Sequence, residues 1–207
     1  MKHIAVEGNI GAGKTTLAEI ICQKNNALFM AEEFEDNPFL ARFYEDRKQY
    51  GLQVELSFLA DRYKQMQKYF PEEDLFHDTI VSDYIIQKCS VFASHNLEDD
   101  EFNLFRRIYE IVESAAPKPD IIIHLHRPIP VLLNHIEKRG RNFEKPITPE
   151  YLKAIERSYK AHYDSIESPI LIVDSDDKDF SSNPELLQPV WTFLNQKEMK
   201  RRSYLSL

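Results

Sequence analysis

Five short runs of apolar residues recur along the chain, at positions 3–6, 28–31, 79–82, 120–125 and 169–174. Each is apolar nearly throughout rather than alternating, the pattern of strands buried on both faces of a parallel sheet. The stretches between them carry a different period. Over positions 52–70, Leu52, Leu56, Leu59, Tyr63, Met66 and Phe70 recur three or four residues apart, one apolar face of a helix packed into a core. Positions 14–24 predict a helix, and so do positions 98–115, where Phe102, Phe105, Ile108, Tyr109 and Val112 share the apolar side. Thr148 with Pro149, and Asn183 with Pro184, read as N-cap plus first-turn proline, opening helices that run to about Ser165 and Lys197. Strands alternating with helices of these lengths predict a three-layer α/β fold, a five-stranded parallel sheet flanked by helices. No internal repeat or linker interrupts it, so a single domain over positions 1–207 is expected.

Charge narrows what such a fold does. The net charge is −8, from 26 basic and 34 acidic residues, which argues against a nucleic-acid partner, since that binding neutralises phosphates. Any phosphate-binding cations must therefore be clustered locally. No run approaches the ~18 apolar residues of a membrane span, and the N-terminus lacks a signal-peptide pattern. Cys22 and Cys89 lack metal-ligand spacing and read as free thiols. These features predict a cytoplasmic protein with no membrane partner. Only five residues are glycine, and three of them, Gly8, Gly11 and Gly13, fall within six positions. Gly51 and Gly140 are the others, and neither stands where the second switch of a G-protein or the glycine pair of a transporter ATPase would need it.

The concentrated loop, Gly8, Asn9, Ile10, Gly11, Ala12, Gly13, Lys14 and Thr15, fits G-x-x-x-x-G-K-[ST] between a predicted strand and a predicted helix. Glycines let backbone N–H groups turn inward around a triphosphate, and the helix N-terminus adds partial positive charge. Lys14 is placed to reach the β- and γ-phosphates, the Thr15 hydroxyl to ligate Mg²⁺, and Thr16 follows at the same helix end. The loop predicts ATP-type binding without naming the acceptor.

Glu32 and Glu33 follow the second predicted strand, at the carboxyl edge where ligands of a parallel sheet gather. A kinase acting on a hydroxyl needs a base there, whereas one acting on a monophosphate needs cations, so the acidic pair favours the hydroxyl. The loop with its flanking Val6, Glu7 and Thr16, the segment from Asn37 to Leu40, the segment from Phe43 to Asp46, and Lys138, Arg139, Gly140, Arg141 and Asn142 together resemble the deoxynucleoside kinase family. The likeness runs over about positions 2–174 and is nearest to bacterial members acting on deoxyadenosine or deoxyguanosine. It implies transfer of the γ-phosphate of ATP to a 5′-hydroxyl with Mg²⁺, in a homodimer.

Position by position, the resemblance implies Glu32 as general base, with Glu33 where a proline is common, and Tyr44 and Glu144 as holders of the sugar 3′-hydroxyl. It implies Glu55 and Arg62 as base-recognition residues, and their spacing of seven puts both on one helix face. It implies Asp83 beside Thr15 at the metal, and a lid over about positions 138–146 whose Arg139 and Arg141 act on the phosphates. Glu55 stands where glutamine is frequent. Ionised, it offers only acceptors, and Arg62 only donors. Guanine presents N1–H and N2–H₂ to the one and O6/N7 to the other, adenine presents N6–H₂ and N7, and thymine suits the pair worst. A purine preference follows.

The chain also departs from the family pattern. Tyr84 and Ile85 follow Asp83 where arginine and serine are usual, and Lys88 one turn on is a candidate replacement for the arginine. Cys89 stands where the family has an acid, and His135 replaces a lid arginine of some relatives. His124 and His126 are read as structural. Two rival functions are a nucleoside-monophosphate kinase resembling a thymidylate kinase and a non-catalytic nucleotide-binding regulator.

Overall fold

The computed structural model describes residues 1–34, 37–70, 77–196 and 198–207. In chain order its first half comprises β1 (Lys2–Gly8), α1 (Lys14–Asn25), β2 (Leu28–Met30), α2 (Leu40–Glu45), α3 (Arg47–Tyr69), β3 (Thr79–Ser82), α4 (Lys88–Asn96) and α5 (Asp99–Ala115). The second half comprises β4 (Ile121–His126), α6 (Ile129–Arg139), a 3₁₀ turn (Asn142–Glu144), α7 (Pro149–Tyr163), β5 (Ile170–Asp174), a second 3₁₀ turn (Pro184–Leu187), α8 (Gln188–Leu194) and β6 (Arg202–Ser206). The strands form one sheet in the order β2-β3-β1-β4-β5-β6, every neighbouring pair parallel.

The sheet therefore has six strands, not the five expected. β6 escapes the apolar-run criterion because it is an edge strand: Arg202, Ser203, Tyr204, Leu205 and Ser206 alternate between half-buried and exposed, and pair only with β5. The helix expected from Pro184 onward is a 3₁₀ turn followed by α8, which ends at Leu194; its expected end, Lys197, lies outside the described residues. The other strands fall where the apolar runs lie.

β1 is central, between β3 and β4, and its residues after Lys2 are buried, as the continuous apolar run requires. α3 begins five residues earlier than its apolar stripe, because the Asp46 side chain caps it by accepting from the Gln49 N–H. Leu59 and Met66 of that stripe are fully buried under Ile80 and Phe105, with Leu52, Leu56 and Phe70 packed against them. The same helix buries a second face carrying Val54, Glu55 and Arg62. That second face holds charge in the interior, which puts it at the site rather than in the core.

The glycine loop is held by close approach. At Gly8 (φ +149°) an added Cβ would lie 2.5 Å from the Leu125 carbonyl oxygen, and at Gly11 (φ +81°) 2.7 Å from that of Leu132. The backbone of β4 and of α6 thus presses on the loop at two points where no side chain fits.

Candidate active site

Two cavities meet at Glu32, both bordered by Lys14, Arg139 and Arg141 as well. One, of about 640 Å³, runs along the glycine loop past Thr15, Asp83 and Arg127. The other, of about 110 Å³, lies between α2, α3, α4 and α7 and is lined by Tyr44, Glu55, Arg62, Asn96 and Glu144. Of the residues singled out in the sequence, Thr15, Thr16 and Asp83 line only the first of these spaces. Tyr44, Glu55, Arg62 and Glu144 line only the second, while Lys14, Glu32, Arg139 and Arg141 border both.

On the donor side, the Thr15 hydroxyl donates to Asp83 Oδ2 at 2.5 Å, and Asp83 Oδ1 accepts from the Glu32 N–H at 2.7 Å. One aspartate therefore ties the first turn of α1 to the end of β2. Lys14 donates from Nζ to the Asn9 carbonyl at 3.0 Å. Burial lowers its ammonium to about 8, assisted by the positive charge of Lys88 and opposed by Glu7, Glu32 and Asp83. Asn9 itself donates to the Leu152 carbonyl at 2.8 Å, pinning the loop to α7.

Arg127 is a site residue that the sequence patterns do not single out. Its Nε donates to the Ala12 carbonyl at 2.9 Å, and Nη1 and Nη2 donate to the carbonyls of Asp176 and Lys178 at 2.6 and 2.7 Å. It clamps the loop after β5 onto the glycine loop. Its place immediately after β4, at the carboxyl edge of the sheet, is the one signal that points to it.

On the acceptor side, Glu32 is enclosed by cations. Oε1 accepts from Arg62, through Nε at 3.0 Å and through Nη2, and Oε2 accepts from Lys88 Nζ at 2.5 Å. Burial alone would raise this carboxyl, but Lys88, Arg62 and Lys14 outweigh it and hold the group well below the usual carboxylate range. The remaining guanidinium nitrogen of Arg62 donates to Cys89 Sγ at 2.8 Å, and the guanidinium lies over the Phe58 ring, 4.8 Å from its centroid. The position that has an acid in the family pattern is thus occupied by a thiol that burial keeps protonated by pushing it up.

The departures after Asp83 have a structural counterpart. Tyr84 turns into the core beside Leu59 and Phe105, and no polar side chain from that position reaches Glu32. The cation arrives from one turn later, on Lys88. The Ile85 N–H donates to Glu7 Oε1 at 2.8 Å, while Glu7 Oε2 accepts from Tyr159 at 2.7 Å and from the Gly8 N–H. Glu7 therefore fastens the start of the loop to α7 and to the segment after β3. Burial, first among its influences, raises its carboxyl despite Lys88 and Lys14.

In the predicted lid, α6 ends at Gly140 (φ +71°) and the chain turns through Asn142–Glu144. Arg139 donates to both oxygens of Glu144, with Nη2 at 2.7 and 2.8 Å, and Arg141 Nη1 lies 3.7 Å from the same carboxylate. The two lid arginines, both partly exposed, thus converge on the buried carboxylate of the residue assigned to the sugar. Phe143 stacks on Tyr44 with ring centroids 6.2 Å apart. His135 donates from Nδ1 to the Gly11 carbonyl at 2.9 Å, joining α6 to the glycine loop. Ile10 lines the smaller cavity and Thr16 the larger, while Glu33 lines neither and borders a separate cleft beside Lys64 and Lys68. His124 is buried against Tyr159 and Tyr163, and burial lowers it to about 3, a structural imidazole as expected. His126 sits between Asp174 and Glu156, outside both cavities.

A parallel sheet with a glycine loop wrapped into the N-terminus of α1, and a buried carboxylate facing the loop lysine across two joined cavities, defines a P-loop phosphotransferase. The sequence model of the deoxynucleoside kinase family matches residues 4–196. The chain is 38% identical over 185 residues to a deoxyguanosine kinase of Bacillus subtilis, covering 87% of this chain and 89% of that protein. It is 32% identical over 193 residues to a deoxyadenosine kinase of Dictyostelium discoideum, covering 91% of this chain and 77% of the relative. A structure of deoxyadenosine kinase from M. mycoides with bound dATP superposes with a TM-score of 0.77 at 25% identity, covering 92% of this chain and 99% of that one. The chain belongs to the deoxynucleoside kinase family. Among the described residues, no helix is long and apolar enough to cross a membrane.

Proposed function

We propose that this protein transfers the γ-phosphoryl group of ATP to the 5′-hydroxyl of a purine deoxynucleoside. The carrying observation is Glu32, a buried carboxylate kept ionised between the loop lysine and the small cavity. The deoxynucleoside enters between Tyr44, Glu55, Arg62 and Glu144, and the triphosphate lies along Gly8–Thr16 beneath Arg127 and the lid. The nucleoside O5′ attacks the γ-phosphorus, the bond to the β–γ bridging oxygen breaks, and ADP leaves. The hydroxyl proton passes to Glu32. A carboxylate has about four lone-pair sites, and Glu32 spends three on Arg62 and Lys88, leaving one for the hydroxyl.

So acidic a carboxylate is a weak base, which suits phosphoryl transfer. Its loose transition state asks mainly for positioning and charge stabilisation, with the proton moving late. Lys14, Arg139 and Arg141 supply that stabilisation as charge shifts between oxygens. Thr15 and Asp83 fit Mg²⁺, since a touching hydroxyl and carboxylate beside the donor cavity leave the other positions to phosphate and water, as this ion prefers. Bound there, it would neutralise charge on the β- and γ-oxygens.

Glu55, which lines the acceptor cavity, supports the purine preference, whereas Arg62 is committed to Glu32 and Cys89. The similar proteins named above include a deoxyguanosine kinase and two deoxyadenosine kinases. ADP release measured with the four deoxynucleosides is expected to show the highest kcat/KM for deoxyguanosine or deoxyadenosine. Thymidine as the best substrate would contradict it. The proposed assembly is a homodimer, supported by Leu104, Ile108 and Ile111, which form an exposed apolar face along α5.

A further inference from the structure

Glu55 is 3% exposed and lines the acceptor cavity. Its Oε1 accepts from Asn96 Nδ2 at 2.6 Å, and among the described residues Oε2 makes no hydrogen bond. Asn96 Oδ1 is buried and has no partner there either. The charged and titratable groups around Glu55 are Arg62 on its own helix, Lys88 and Cys89 on α4, and Tyr151 on α7. Both cations spend their hydrogen bonds on Glu32 and Cys89, and none reaches Glu55. Two polar atoms, Glu55 Oε2 and Asn96 Oδ1, are thus left without protein partners beside a cavity lined by aromatic rings.

Adenine and guanine differ at one ring position by one proton: N1 accepts in adenine and N1–H donates in guanine. The neighbouring group also inverts, an amine in adenine and O6 in guanine. The Asn96 amide carries both an acceptor and a second N–H, so it suits either group and does not choose. A carboxyl oxygen chooses, because it donates when protonated and only accepts when ionised.

We propose that the proton on Glu55 selects the purine: the neutral acid donates from Oε2 to adenine N1, and the carboxylate accepts from guanine N1–H. This rests on the reading that Glu55 contacts the base. Burial raises the Glu55 carboxyl to about 7, against the lowering influence of Asn96, Arg62 and Lys88, so both forms are populated near neutrality. Pairing with adenine N1 requires the proton to be present, and pairing with guanine N1–H requires its release to solvent. Selectivity for guanine over adenine therefore rises with pH.

The test is the ratio of kcat/KM for deoxyguanosine to that for deoxyadenosine, measured with ATP on the intact protein from about pH 6 to about pH 8.5. Both substrates share the donor, Lys14 and Glu32, so pH effects on that machinery cancel in the ratio. The ionised-to-neutral ratio of one carboxyl rises about tenfold per pH unit. The selectivity ratio is therefore expected to climb well over tenfold and up to about 300-fold over this range, and in Glu55→Gln to be independent of pH. A flat wild-type ratio overturns the proposal, with or without a usable variant. If Glu55→Gln still alters selectivity in that case, the base contact stands and only the proton's role falls. If Glu55→Gln changes neither selectivity nor KM, the base contact falls as well. A pH-dependent ratio that persists in Glu55→Gln places the selecting group elsewhere and also overturns the proposal.

Discussion

Replacing Glu32 with glutamine is expected to lower kcat by about 10³-fold while ATP binding survives, because no atom of the glycine loop is bonded to the Glu32 side chain. The amide keeps the shape and loses the site for the hydroxyl proton. It also removes the counter-charge of Lys88 and Arg62, whose side chains are 7% and 5% exposed. Removing one partner of a buried ion pair costs about 3–5 kcal/mol, so the variant is expected to melt at a distinctly lower temperature. Loss of turnover with retained ATP affinity, read by nucleotide titration and steady-state kinetics, separates this from unfolding. Near-wild-type turnover in Glu32→Gln would remove Glu32 from the mechanism.

Lys88→Met is expected to lower kcat by about 10²-fold and, more tellingly, to move both limbs of the pH profile. Lys88 is the leading charge that lowers Glu32, so without it the Glu32 carboxyl rises and the acid limb of kcat/KM moves to higher pH. Lys88 also adds to the lowering of Lys14 to about 8. Removing it lets the Lys14 ammonium persist to higher pH, so the alkaline limb moves up too. kcat/KM reports the groups of the free enzyme. A Lys88 that only filled space would leave both limbs in place. Lys88→Arg, which restores the charge, is expected to recover most of the activity.

Much of this site is legible in the order of residues alone. The glycine loop, Lys14, Thr15 and Glu32 lie where strand-end arguments put them, because that rule is local. Asp83, Glu55 and Arg62 are singled out by the family resemblance and line the same two cavities. A parallel sheet gathers chemistry at its carboxyl edge, and seven residues on a helix return to one face. The rest depends on relations between distant segments. Nothing in the order of residues shows that Arg62 bonds Glu32, thirty positions away, or that Arg139 folds back onto Glu144. Arg127 acts only through backbone carbonyls of two loops, which no side-chain pattern announces. Burial is the other variable hidden from the sequence: Glu55 reads as an ordinary acidic residue until its enclosure raises it to about 7. β6 leaves no apolar signature because an edge strand whose residues are all half-buried or exposed has no continuous apolar run.

Tyr84 stands where the family pattern has an arginine. The tyrosine fills core volume beside Leu59 and Phe105. A positive charge reaches Glu32 from Lys88, the first residue of α4, which lines the acceptor cavity. Lys88 supplies a buried cation on one oxygen of Glu32.

The most direct test of the central claim is the identity of the acceptor. With γ-labelled ATP and Mg²⁺, the label is expected on the 5′-oxygen of deoxyguanosine or deoxyadenosine, giving the 5′-monophosphate and ADP in equal amounts, with no transfer to deoxynucleoside monophosphates. Label appearing on a monophosphate to give a diphosphate, or remaining in ATP with every nucleoside offered, would contradict it.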